Sequence, residues 1–179
     1  MKRDLPGMNL DLGHIEERET FSFQERFTVP TQEDGASECD TTVTGTIVRT
    51  GSRLLLDAHI TGEVHVACDR CLSEYNLPID TDFNLVFHRG TRSRVPEGIE
   101  EDDFILLTEV NEQGYDIFPR VREEVILELP IKFLCSATCK GLCSKCGANL
   151  NERDCGCNRE GGDPRWESLK KLLSGEGDH

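Results

Sequence analysis

The spacing of the cysteines constrains this chain more than any other feature. Eight of its nine cysteines form four close pairs. In chain order these are the first pair (Cys68 and Cys71), the second pair (Cys135 and Cys139), the third pair (Cys143 and Cys146) and the fourth pair (Cys155 and Cys157). A turn that carries Cys-x-x-Cys directs two thiolates to one point, and Zn²⁺ binds four such ligands in a tetrahedron. Because two pairs complete one site, the sequence predicts two structural Zn²⁺ ions.

A disulfide framework is the main alternative for closely spaced cysteines, and it requires export from the reducing cytoplasm. No apolar segment follows Met1, Lys2 and Arg3, so no secretory signal peptide is predicted. No run reaches the roughly 18 apolar residues of a membrane-spanning helix. We therefore expect a cytoplasmic protein whose clustered cysteines bind metal. Cys39 has no cysteine nearby and is predicted to be an ordinary loop or edge residue.

The four pairs can be combined into two sites in three ways. Loop closure favours short connections, and eight residues separate Cys146 from Cys155. The short connection therefore favours a site made from the third and fourth pairs, and the first pair is left to meet the second across more than sixty residues. A site made from the second and third pairs is also local, so that grouping stays open as an alternative.

Alternating apolar residues predict a β-rich fold. The expected strands cover residues 19–29, 42–49, 53–60, 63–67, 77–87 and 104–110. Short turns at Thr50-Gly51-Ser52 and Thr61-Gly62 favour antiparallel hairpins, and a polar connection is expected over 31–39. The first pair follows the meander directly, at a position where a strand ends.

Two helices are predicted from capping residues and apolar stripes. Asp116 is the expected N-cap of a helix over 117–129, with Pro119 in the first turn, where its missing N–H costs little. The core stripe of this helix consists of Ile117, Val121 and Val125. A short amphipathic helix is expected over 163–173.

These elements predict an α+β fold class. The sheet is expected to be mainly antiparallel, a meander with the option of a barrel-like closure, accompanied by a few short helices and a C-terminal Cys-rich zinc module. We expect a β-rich body over 1–134 that contains the first pair, a zinc-knuckle module over 135–173, and a disordered tail over 174–179.

The chain is acidic, with 20 Lys+Arg against 34 Asp+Glu and a formal net charge of −14. Nucleic-acid affinity comes largely from cations that neutralise phosphates, whereas an acidic body attracts a basic protein. Two basic clusters are nevertheless candidates for RNA or partner contact, with a solvated surface as the alternative interpretation. They consist of Arg89, Arg92 and Arg94, and of Lys140, Lys145, Arg153 and Arg159.

No catalytic residues are predicted. A catalytic Zn²⁺ keeps an open position and usually has His or carboxylate ligands, and none of the five histidines has a hydrolase spacing. His65 lies three residues before Cys68 and is the one histidine to consider as a ligand, although a core or edge position is favoured. Redox Cys-x-x-Cys motifs sit at helix N-termini, whereas Cys68 follows a strand. We therefore expect a protein that is not an enzyme.

Three segments carry a resemblance to a known family. They are Cys68-Asp-Arg-Cys71-Leu72, the run from Cys139 through Cys143-Ser-Lys-Cys146-Gly to Asn151, and Asp163-Pro164-Arg165-Trp166. Together, and in this order, they resemble the YceD family, bacterial proteins associated with accumulation of 23S ribosomal RNA. The family offers no established catalytic residues, and some members lack the third and fourth pairs.

The resemblance implies a role in the synthesis, processing or stability of large-subunit rRNA, hence in ribosome biogenesis. The implied partner is large-subunit precursor rRNA or a basic ribosomal protein. A zinc-stabilised scaffold for a basic partner outside the ribosome stays open as an alternative, as does, less favoured, a metal- or thiol-dependent enzyme.

Overall fold

The computed structural model describes residues 7–31, 35–89, 104–107 and 114–157. Within them the chain forms seven strands and one helix. The elements are β1 (Asn9–Leu10), β2 (Arg18–Thr31), β3 (Gly35–Thr50), β4 (Arg53–Ala67), β5 (Glu74–Arg89), β6 (Phe104–Leu107), β7 (Tyr115–Asp116) and α1 (Phe118–Glu128). The predicted α+β class with a mainly antiparallel sheet is confirmed.

The main sheet has the strand order β2-β3-β4-β5-β6 and curls into half a barrel. β2 and β3 are antiparallel, as are β3 and β4. The side-chain pairs His65–Asn76 and His59–Asp82 run in opposite directions along β4 and β5, so these strands are antiparallel as well. β6 pairs in parallel with β5, and β1 pairs with β7 in a separate two-stranded ladder.

The predicted turn at Thr61-Gly62 is wrong, because β4 runs unbroken through it. Gly62 lies opposite Thr41 of β3, and a Cβ at this glycine would overlap the carbonyl oxygen of Asp40. The glycine therefore permits close strand approach and does not reverse the chain. The hairpin at Gly51 is confirmed, with a φ of 61°.

The predicted connection over 31–39 is also shorter than expected, since β3 begins at Gly35. Cys39 consequently lies inside β3, an internal strand, with its side chain fully buried. Its assignment to a loop or edge is therefore wrong. Burial raises the pKa of this thiol to about 11, as expected for an inert core cysteine.

One face of the sheet and α1 enclose the core of the β-rich part. The helix packs against β2 and β5, with Phe118 edge-to-face on Phe27 at a ring-centroid distance of 5.1 Å. The buried stripe of Val121 and Val125 confirms the predicted helix. Asp116 does not occupy the N-cap, which is Ile117.

Asp116 still serves the start of the helix from the preceding position. Its Oδ1 accepts hydrogen bonds from the backbone N–H groups of Phe118 at 2.9 Å and Met8 at 3.0 Å. The early segment that contains Met8 was not predicted as core. Its buried side chains are Met8, Leu10, Leu12 and Ile15.

The chain divides into two compact units. Unit 1 comprises the described residues of Met1–Val66 and Glu74–Lys132, and unit 2 those of Ala67–Ser73 and Phe133–His179. The first cysteine pair thus groups with the cysteine-rich part of the chain, whereas the sequence boundaries assigned it to the β-rich body.

Several predicted features lie outside the described residues. They are the end of the strand predicted over 104–110, the helix predicted over 163–173 and the tail over 174–179. No described helix is long and apolar enough to cross a membrane.

Candidate metal centres

The eight paired cysteines come together as two groups of four. Site 1 combines the first and second pairs, and site 2 combines the third and fourth. In each group the four sulfur atoms lie within 4.8 Å of one another. This is the grouping that loop closure favours, and the alternative site made from the second and third pairs is not formed.

The sulfur–sulfur distances in site 1 fit a tetrahedral metal ion. Cys68 Sγ lies 3.8 Å from Cys139 Sγ, and Cys71 Sγ lies 3.6 Å from Cys135 Sγ. Four Zn–S bonds of about 2.3 Å give a tetrahedron with edges of about 3.8 Å. A disulfide would require about 2.05 Å. The donor set and its spacing therefore fit Zn²⁺ and exclude a disulfide between these partners.

Site 1 joins two segments that are far apart in sequence. Within the first, Leu72 N–H donates to the carbonyl of Cys68 at 2.8 Å, which closes the knuckle. Asp69 and Phe133 then exchange two hydrogen bonds of 2.8 Å, one between backbone groups and one to the Asp69 carboxylate. This exchange aligns the segment that leads into the second pair.

Arg70 fixes the segment that follows the second pair. Its guanidinium donates to the carbonyl of Cys139 at 3.0 Å, and its own carbonyl accepts from Leu142 N–H at 3.1 Å. Gly141 has a φ of 74° and lies against the backbone of Arg70. A Cβ at this position would lie 3.0 Å from the Arg70 carbonyl oxygen. Neither Arg70 nor Gly141 was predicted from the sequence to support a metal site.

Local hydrogen bonds make ionisation unequal within site 1. Burial raises the pKa of Cys68, but hydrogen bonds from neighbouring backbone amides outweigh it and lower the pKa to about 6. At Cys135, hydrogen bonds with the thiols of Cys71 and Cys139 raise the pKa to about 12. The Cys68 thiolate therefore forms readily, whereas the Cys135 thiolate needs a nearby cation to offset the negative charge of the neighbouring sulfurs.

Site 2 is built on a second knuckle and a glycine turn. Gly147, with a φ of 70°, donates its N–H to the carbonyl of Cys143 at 2.8 Å. Gly156, with a φ of 65°, lets Cys155 and Cys157 converge from either side of one residue. Backbone N–H groups lower the pKa of Cys143 to about 6, while neighbouring thiols raise that of Cys157 to about 12.

An asparagine in the loop of site 2 contacts a sulfur of site 1. Asn151 Nδ2 donates to Cys139 Sγ at 3.3 Å, and its Oδ1 accepts from Lys140 N–H at 2.8 Å. Asn149 Oδ1 accepts from Asn151 N–H at 3.0 Å, and its Nδ2 donates to Ser73 Oγ at 3.3 Å. Hydrogen bonds of this kind orient metal ligands and tune their charge.

Three of the seven basic residues predicted to contact RNA or a partner have described side chains. Lys140, Lys145 and Arg153 are all exposed on unit 2. Arg92, Arg94, Arg159 and the side chain of Arg89 lie outside the described residues. The structure therefore leaves the three described cations available, and the role of all seven stays a prediction.

His65 belongs to neither cysteine group. Its Nδ1 lies 2.7 Å from Asn76 Oδ1, and its Nε2 lies 3.5 Å from Asp40 Oδ2. Asp40 also pairs with Arg26. The histidine thus occupies a polar network on the exposed face of β4, an internal strand, so it is neither a core nor an edge residue.

Comparison with known proteins gives one family and several relatives. The family model described as "Large ribosomal RNA subunit accumulation protein YceD" matches residues 56–173. An Arabidopsis thaliana protein named "Large ribosomal RNA subunit accumulation protein YCED homolog 1, chloroplastic" is 29% identical over 70% of the chain. "Uncharacterized protein YlbN" of Bacillus subtilis is 32% identical over 65%, and a Mycobacterium tuberculosis protein is 32% identical over 62%.

The chain spans about half the length of the curated relatives it matches. It covers 46% of the Arabidopsis protein, 51% of the mycobacterial protein and 64% of the Bacillus protein. No solved structure gives a significant match.

Proposed function

The chain belongs to the YceD family of large ribosomal RNA subunit accumulation proteins, and we propose that it is a zinc-stabilised, non-enzymatic factor that supports 23S rRNA synthesis, processing or stability. The family name implies a role in accumulation of large-subunit rRNA. The observation that supports a zinc-stabilised, non-enzymatic role is the pair of closed four-cysteine groups, because such groups are typical of structural modules.

The proposed ion at each site is Zn²⁺, two per chain. Site 1 would be held by the first and second pairs, and site 2 by the third and fourth. Structural Zn²⁺ supplies apparent binding energies of about 10–16 kcal/mol, and a typical domain has a net stability of only about 5–15 kcal/mol. Metal binding is therefore sufficient to determine whether unit 2 folds.

The ligand chemistry supports a structural role. Catalytic zinc sites generally use three protein ligands and keep a fourth position for water or substrate. Each group here offers four thiol ligands and contains no histidine or carboxylate. Four protein ligands complete the tetrahedron, so the proposal includes no reaction at either metal.

We propose a cytoplasmic setting and a partner within the assembling large subunit. The net charge of −14 favours a basic ribosomal protein. Precursor rRNA is the other candidate, through Lys140, Lys145 and Arg153, with Arg89, Arg92, Arg94 and Arg159 as further predicted contacts. The same acidity supports the second candidate function, a zinc-stabilised scaffold that binds a basic partner outside the ribosome.

Deletion of the gene tests the proposed function. We expect the 23S to 16S rRNA ratio to fall, and the wild-type protein to restore it. The double variant Cys68→Ser/Cys71→Ser should not restore the ratio, whereas Cys39→Ala should, because Cys39 lies outside both groups. An unchanged ratio after deletion would contradict the role in rRNA accumulation.

Elemental analysis tests the metal assignment separately. Purified wild-type protein and Cys39→Ala should each contain two Zn²⁺ per chain, and removal of a pair from site 2 should leave one. Zinc-free protein with the same thermal unfolding transition as zinc-loaded protein would refute the structural role of the metal.

A further inference from the structure

Leu72, directly after the first knuckle, has an unfavourable backbone conformation and an exposed side chain. It is the only non-glycine residue with positive φ, at 58°, in the described part of the chain. The side chain is nevertheless 66% exposed. Left-handed backbone costs free energy for a residue with a Cβ, and burial of the leucine against the described residues does not compensate for that cost.

The second knuckle shows what this backbone position requires. Gly147 follows Cys146 as Leu72 follows Cys71. Each donates its backbone N–H to the carbonyl oxygen of the first cysteine of its knuckle, at 2.8 Å. Their φ values are 70° and 58°. The turn therefore calls for positive φ, which glycine adopts without strain. Neither the turn nor packing against the part of the chain that the structure describes explains a leucine at position 72.

We propose that Leu72 is an apolar anchor that docks into a pocket on a basic protein partner. The inference rests on the proposed function, because it takes that partner from the proteins of the large subunit. The anchor is preorganised, since the metal ligand Cys71 precedes it and the hydrogen bond to Cys68 holds its backbone. Preorganised apolar side chains bind with little loss of conformational entropy, and strained positions concentrate where a protein binds its ligands.

Charge favours a basic protein over RNA as the occupant. The described part of unit 2 has four basic and three acidic side chains, and two zinc ions with four thiolates each add −4. With both ions bound, the described part of unit 2 is therefore net negative, like the chain as a whole. Leucine also lacks the donors and the aromatic face with which side chains recognise unpaired bases.

The test measures binding of zinc-loaded full-length protein to two probes at physiological salt. The first is the protein fraction stripped from purified large subunits, and the second is deproteinised 23S rRNA. We expect the wild type to bind a basic member of the protein fraction. Leu72→Gly should bind it at least tenfold more weakly, keep two Zn²⁺ and unfold at an equal or higher temperature, because glycine relieves the strain.

Two control variants separate the anchor from general effects. Leu127→Ala removes another exposed leucine, 73% exposed on α1, and should leave binding unchanged. Gly147→Leu should lower the unfolding temperature, since it introduces the same strain where the structure has none. Unchanged binding by Leu72→Gly, or wild-type binding to rRNA alone, would overturn the proposal.

Failure of the anchor can be distinguished from failure of the proposed function. If deletion lowers the 23S to 16S ratio and Leu72→Gly restores it fully, the anchor is refuted and the rRNA role stands. If deletion leaves the ratio unchanged and the wild type binds neither probe, both are refuted.

Discussion

Asn151 shows at the scale of single residues how one metal site depends on the loop of the other. Its amide nitrogen donates to Cys139 Sγ of site 1, although Asn151 itself lies in the loop between the third and fourth pairs. A neutral donor disperses charge from the thiolate and holds the sulfur in position. Asn149 in turn fixes Asn151 through its own amide oxygen.

We predict that Asn151→Asp lowers the zinc affinity of site 1 by about 10–100-fold. The aspartate keeps an acceptor for Lys140 N–H but places a carboxylate oxygen beside the Cys139 sulfur. Asn151→Ala should lower the affinity as well, since it removes the donor without adding charge. Chelator competition followed by native mass spectrometry reports the loss of each ion. An unchanged site 1 affinity in Asn151→Asp would contradict this role.

A second prediction concerns the protonation of His65 on the exposed sheet face. Its pKa is raised by the hydrogen bond with Asn76 and then by the nearby Asp40 carboxylate. A protonated ring can donate to both partners, whereas a neutral ring can donate to one only. The pKa of His65 should therefore fall in Asn76→Ala and in Asp40→Asn, as measured by NMR titration.

The sign of the resulting pH dependence follows from the raised pKa. Protonated His65 contributes stability below the pKa of an unfolded histidine, and this contribution is lost as pH rises through the higher folded value. A folded-state pKa at or below the ordinary histidine value would refute the network.

At the scale of elements, the β3–β4 ladder depends on one glycine within a strand. Gly62→Ala should destabilise unit 1 by about 2 kcal/mol, because the added Cβ overlaps the Asp40 carbonyl and forces the strands apart. Gly51→Ala is the matched control: it has open space around its Cβ but a φ of 61°, so it should cost only about 1 kcal/mol. Calorimetry of the zinc-loaded variants measures both, and a smaller loss for Gly62→Ala would contradict this account.

The same elements show what the sequence can predict. The four cysteine pairs, α1 and the turn at Gly51 follow from local spacing, because ligand geometry, helical periodicity and turn chemistry act over a few residues. The combination of the pairs into sites is less constrained, since site 1 joins cysteines 64 residues apart, and a second grouping stayed open. The turn predicted at Gly62 was wrong because the same Thr-Gly dipeptide occurs both in turns and where two paired strands approach closely. The contact between Asn151 and Cys139 depends on a loop that folds back over twelve residues, which no local pattern records. The left-handed φ of Leu72 comes from the knuckle turn itself, but a leucine gives no sign of it because positive φ is typical of glycine.

At the scale of the whole molecule, each compact unit has its own source of stability. Unit 1 has an apolar core with fully buried side chains such as Val43, Ile60 and Phe87. The cysteine groups both lie in unit 2. Loss of metal should therefore affect the two units very differently.

We predict that chelation under reducing conditions unfolds unit 2 and leaves unit 1 folded. Hydrogen exchange should rise sharply in residues 67–73 and 133–157. The amides of β3, of β4 up to Val66 and of β5 should keep their protection. Restored Zn²⁺ should reverse the change. Equal loss of protection in both units, or protection of unit 2 without metal, would contradict the assignment.

The separation of the two halves of site 1 also sets an order of events during synthesis. Cys71 precedes its partner Cys135 by 64 residues. At translation rates of about 5–20 residues per second, that interval lasts roughly 3–13 s. Each nascent chain thus exposes an unfinished pair of thiols on the ribosome for seconds before the remaining ligands emerge, and an oxidant present during that time competes directly with zinc.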